Sequence, residues 1–142
     1  MSLNLQGHQV LQQADASVKA VPLFDAAVLG RLREELGEDD SIWRVFVQNF
    51  IALLPDRIRR VQLALTTGDL AGALDAALSL KTSAQMVGAE RLAELAMELE
   101  LSLRAMDDQE PERVLPQMAA ARLQRITRCS RQTTDLLLRC LY

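Results

Sequence analysis

The sequence predicts an all-α fold, an up-and-down four-helix bundle with an additional N-terminal helix. Three observations carry that expectation. Apolar residues make up 49% of the chain but aromatic ones only 4%, so the apolar content is mostly Leu and Ala, both good helix formers. Apolar residues recur at helical spacing through long segments, and no alternating strand pattern interrupts them. Only short corners separate these segments, which makes successive helices antiparallel neighbours. With 142 residues, the chain has the size of one domain on the usual scale of roughly 100–200 residues.

Residues 1–21 read as a polar leader, partly disordered or coiled into a short helix through Val10, Leu11, Ala14 and Val18. Residues 22–142 are expected to form the bundle. Asp25 caps a first helix with apolar positions Val28, Leu29, Leu32 and Leu36, and Gly37 ends it. Glu38-Asp39-Asp40-Ser41 offers a cap and negative charge to the next helix. That helix runs from about Ser41 to Thr67. Its inner face is expected to be Ile42, Val45, Phe46, Asn49, Phe50, Leu53, Ile58, Val61 and Leu65, with a kink at Pro55. Gly68 and Asp69 make the corner. A third helix follows from about Leu70 to Val87, and Gly88 closes it. Its buried stripe, at about 100° per residue, is Leu70, Ala73, Leu74, Ala77, Leu80, Ala84 and Val87. The fourth helix runs from Ala89 to about Met106 on Leu92, Leu95, Met97, Leu99 and Leu103. After the break at Asp107-Asp108-Gln109-Glu110, Pro111 opens a last helix that reaches Tyr142, with a bend expected near Pro116.

The composition excludes several functions. No apolar run approaches the ~20 residues of a membrane span, and the N-terminus lacks the form of a secretory signal. A net charge of −3 argues against general nucleic-acid binding. Arg57, Arg59 and Arg60, and Arg122, Arg125, Arg128 and Arg131, read as a solubilising surface with partners one helical turn away. One His and two Cys leave no zinc set, so no metal and no cofactor are expected. Cys129 and Cys140 lie about 16 Å apart along one helix, too far for a bridge. Two buried or half-buried thiols fit a reducing, cytoplasmic setting. There is no acid/base pair and no Gly-rich phosphate cradle, so no enzyme is expected. His8, the single histidine, reads as a solvated leader residue.

The informative segment is Ala77-Leu78-Ser79-Leu80-Lys81-Thr82-Ser83, followed by Gly88-Ala89, Leu92 and Leu99-Glu100. It resembles the signature of histidine-containing phosphotransfer (HPt) domains, the carriers of multistep two-component relays. The resemblance covers about residues 23–106 and, more weakly, the last helix. It implies a helical bundle that docks on a response-regulator receiver domain or a histidine kinase. At the position where the family holds its phosphorylated His, this chain has Leu78, whose aliphatic side chain has no nucleophilic atom. Thr82 stands where the family usually has Gly. Neither Ser79 nor Ser83 has a neighbouring general base.

The resemblance therefore implies recognition without phosphotransfer, by a competitor or adaptor in a phosphorelay. The partner-binding surface would comprise Ala71, Asp75, Leu78, Lys81, Thr82 and Gln85. Leu78 falls at the edge of the buried stripe, either folded down as packing or exposed for docking. Lys81 reads as a solvated boundary cation, or as a partner for the acidic rim of a receiver, whose active site is a cluster of carboxylates. The alternative function is a structural or oligomerisation bundle. Its homodimer face would lie on the C-terminal helix around Ile126, Thr133, Leu136, Leu137, Leu138 and Leu141.

Overall fold

The structure, a computed structural model, describes residues 21–36, 40–106 and 110–141. The leader helix, His8, the Gly37 stop and the capping side chains expected at 38–41 lie outside the described residues. Five helices and no strand are present among those described: α1 (Ala26–Glu35), α2 (Asp40–Thr66), α3 (Leu70–Met86), α4 (Glu90–Arg104) and α5 (Pro111–Leu141). Helix α2 packs on α3, α3 on α4, α4 on α5, and α5 closes the ring against α2; α1 lies across α2 and α3. This is the expected four-helix bundle with one additional helix leading it.

Local chemistry sets the helix ends. The Asp25 carboxylate accepts the Ala27 N–H at 2.9 Å, and Asp69 accepts the Gly72 N–H at 3.0 Å. Each caps a helix by satisfying an amide that the helix cannot. Gly68 and Gly88 take φ of 73° and 79°, a left-handed conformation that suits Gly. The Gly88 corner also seats the N-terminal segment, because its carbonyl accepts the Asp25 N–H at 2.7 Å.

The inner face of α2 differs from expectation. Trp43, Val47, Phe50, Leu54, Val61, Ala64 and Leu65 are buried, whereas Ile42, Val45 and Leu53 are 47%, 52% and 47% exposed. Asn49 is also exposed, and Phe46 and Ile58 are half-buried. The first half of α2 is turned by about one residue, roughly 100°, from the expected stripe. Both stripes are apolar there, and the one carrying Trp43 buries the larger surface. Arg33 of α1 and Arg44 lie 5.2 and 5.6 Å from the centre of the Trp43 ring, within cation–π range. Arg44 also donates to the Leu141 carbonyl, tying the start of α2 to the end of α5.

Helix α3 buries Ala73, Ala76, Ala77, Leu80 and Ala84, with Val87 just beyond it. Leu70 and Leu74 are only half-buried, and Ala76 joins the stripe. In α4, Met97 is half-buried while Ala93, Ala96 and Glu100 are buried. In α5, Ile126, Thr133, Leu137 and Leu141 are buried within the bundle, Leu136 is half-buried, and Leu138 is 40% exposed. Most of the face expected to hold a second copy is therefore used by the core. Arg122 and Arg125 find their partner on the neighbouring helix rather than one turn away. Both approach Glu98 of α4, at 4.0 and 3.7 Å. Cys129 and Cys140 are free thiols; Cys129 is buried as expected, but Cys140 is exposed, because it lies on the outer side of α5 while Leu137 and Leu141 face the core. No helix among the described residues is long and apolar enough to cross a membrane.

Candidate docking face on helix α3

The buried alanines of α3 determine what its opposite side presents. With Ala73, Ala77, Leu80 and Ala84 turned inward, residues three and four apart on the other side form an outward stripe. The structure brings Ala71, Asp75, Leu78, Thr82 and Gln85 together on it, with Leu78 at its middle. Leu78 is 42% exposed, and Met86 extends the apolar surface at the C-terminal end of the stripe, 50% exposed. Of the two orientations open to Leu78, the structure therefore has the outward one.

Two hydroxyls near Leu78, those of Thr82 and Ser83, are turned onto the helix. Thr82 Oγ1 donates to the Leu78 carbonyl at 2.9 Å, and Ser83 Oγ donates to the Ser79 and Leu80 carbonyls at 2.9 and 3.1 Å. A donor so engaged offers no activated nucleophile. The centre of the stripe is thus an aliphatic side chain with polar residues on its flanks.

Lys81 is not the solvated cation that its position suggested. It is half-buried, and its Nζ lies 2.6 Å from Glu100 Oε2 on α4. Arg104 holds the other oxygen at 3.1 Å. The hydrogen bond from Lys81 is the main cause that keeps the Glu100 carboxyl below the usual carboxylate range; burial opposes it, and Arg104 adds to the lowering. The two helices of the α3–α4 hairpin are therefore joined by a charge-assisted contact beside Leu78. Glu100 belonged to the recognised motif, yet no pairwise spacing within one helix reveals a partner on another.

A second feature is not legible in the sequence. Arg57 and Arg60 of α2 line a cleft of about 540 Å³ against α3, together with Asp75 and Ser79, the neighbours of Leu78. The two arginines follow Pro55 in a run that reads as surface. Their placement depends on how α2 is turned, which the first half of the helix disguised.

The Hpt domain family model matches residues 45–132. The chain belongs to the Hpt domain family. Among solved structures, the crystal structure of histidine-containing phosphotransfer protein B (HptB) from Pseudomonas aeruginosa PAO1 is similar to it. The two superpose with a TM-score of 0.70 at 27% sequence identity, covering 84% of this chain and 95% of that one. No curated protein matches the chain. Hpt domains are phosphotransfer carriers, generally not enzymes in themselves, and interact with response regulators and histidine kinases of two-component systems. This Hpt chain is thus a phosphorelay-related signalling protein. Its matched stretch nevertheless contains no histidine, the single one being His8.

Proposed function

We propose that this Hpt chain is a non-phosphorylatable signalling protein that binds a response-regulator receiver domain or a histidine kinase without passing phosphate. It acts in the cytoplasm as a competitor of a working carrier or as an adaptor that tethers a regulator. The observation that carries this reading is Leu78, an exposed aliphatic side chain at the centre of the α3 stripe, within a family-matched stretch that lacks histidine. Phosphotransfer needs a nucleophilic atom with a free lone pair near neutral pH, which imidazole has and a leucine side chain lacks. Docking needs only surface complementarity and no reacting atom. Ala71, Asp75, Leu78, Lys81, Thr82 and Gln85 make up the contact surface on this reading, with Lys81 acting from its shoulder.

Calorimetric titration of the chain with the receiver domains and kinases of the same organism tests the docking. Binding to at least one of them is expected, and Leu78→Asp should abolish it. Absence of binding to every one removes the proposal. A phosphotransfer assay tests the chemistry. Incubated with a phosphorylated receiver, the natural chain should stay unlabelled, whereas Leu78→His should acquire an acid-labile phosphoryl label. Label on the natural chain would overturn the reading.

A further inference from the structure

The cation that the motif offers to a partner is Lys81, and its ammonium is already engaged by Glu100 at 2.6 Å. The cations that remain are on the other side of Leu78. Arg57 and Arg60 line the cleft between α2 and α3 that Ser79 and Asp75 share. Neither arginine forms an ion pair among the described residues, unlike the adjacent Arg59, which pairs with Asp56 at 3.3 Å. Arg57 is half-buried, and its Nε is fully covered yet has no hydrogen-bond partner among the described residues. The guanidinium is thus without an acceptor among the described residues, and its outer N–H groups, which are not covered in this way, are the ones a partner can reach. Two carboxylates also line the cleft, but they do not supply that acceptor. Asp69 is the cap of α3 and receives the Gly72 N–H, and Asp75 belongs to the outward stripe.

We propose that Arg57, assisted by Arg60, is the cationic contact of the docking face, and that it receives a carboxylate from the acidic cluster of a receiver domain. This rests on the docking reading above and narrows it, because a partner chosen by these arginines is the receiver rather than the kinase. The guanidinium suits the task, since its planar fork binds a carboxylate through two parallel bonds where an ammonium offers a point charge. Arg57 contributes to how long the complex lasts, because it is half-buried and its contact is partly shielded from water. Arg60, exposed, contributes to how fast the partner arrives and to the dependence on salt.

The experiment titrates the full chain against the receiver domains of the same organism, with variants whose folding is checked by thermal melting. Arg57→Gln should weaken binding roughly tenfold, mainly through faster dissociation. Arg60→Gln should weaken it about two- to threefold and flatten the salt dependence. Arg59→Gln should leave the affinity unchanged. Arg57→Lys should recover only part of the loss, and it carries the test should Arg57→Gln fail to fold. If Leu78→Asp abolishes receiver binding but the Arg57 variants bind like the natural chain, this inference falls and the docking reading stands. Binding to a kinase, with no receiver bound, likewise overturns the inference and leaves the docking reading in place. If no partner of either kind binds, both fall.

Discussion

At the scale of single residues, the contrast between Lys81 and Leu78 is one of commitment. Leu78 touches solvent and is free to meet a partner, while Lys81 is held by a buried carboxylate. That pairing has a pH signature. The folded state favours the ionised form of Glu100 through Lys81, so its carboxyl titrates below the ordinary value of 4.5. The stabilisation is therefore complete above about that pH. It is lost as the pH falls further, toward and through the folded-state value, and the protonated acid no longer pairs with the ammonium. Glu100→Gln removes the charge at every pH. Urea unfolding of the natural chain and the variant should differ most near neutrality, and the gap should narrow below pH 4.5. A gap that stays constant down to about pH 3 would mean that the pair adds no stability through its charge. Leu78 stands out by its place in a motif, and its exposure agrees with the helical angle counted from Ala77 and Leu80. Arg57 does not, because no local pattern says which side of a long amphipathic helix a given arginine faces.

At the scale of elements, the corners were the most legible part of the chain. Gly68-Asp69 and Gly88 each combine a stop with a start, and both stops take positive φ. At Gly88 the demand is doubly strict, since an added Cβ would lie 2.6 Å from the Asp25 carbonyl oxygen and 3.1 Å from Val28 Cβ. Gly88→Ala should therefore cost about 2 kcal/mol or more, combining left-handed strain with displacement of the N-terminal segment. A thermal melt within a degree of the natural chain would contradict this. Faces were harder to read than ends. In α2 the stripe through Ile42, Val45 and Leu53 competes with the one through Trp43, Val47, Phe50 and Leu54, and both are apolar at helical spacing. Contact with the neighbouring helices α1, α3 and α5 decides between them, and periodicity within α2 holds no trace of that contact. The decision can be checked by substitution. Val45→Lys, at an exposed position, should change stability by no more than about 0.5 kcal/mol. Val47→Lys, at a position with no exposure, should unfold the bundle, because a buried ammonium without a partner is not tolerated.

At the scale of the whole molecule, α5 decides whether the bundle opens in parts or as one unit. It packs on both α2 and α4, its end is tied to Arg44, and its middle is joined to α4 through Glu98. A helix held on two sides along its length leaves little room for partial opening, so its covered groups should reach solvent only when the core gives way. The two thiols of α5 report on this directly. Cys140 is exposed, whereas Cys129 is buried, 3% exposed, beside Thr133. Burial also pushes the Cys129 thiol up, despite the opposing contact with Thr133, so even when reached it holds little of the reactive thiolate. An excess of a thiol reagent under native conditions should modify Cys140 at once and leave Cys129 protected. The second modification should then proceed at a rate that rises with urea in step with unfolding followed by circular dichroism. The Cys140→Ser variant should lose the fast phase and keep the slow one. If Cys129 instead reacts at a rate insensitive to urea, α5 frays from the bundle independently, and the support that α4 gives to the Lys81 end of the docking face is weaker than the packing implies.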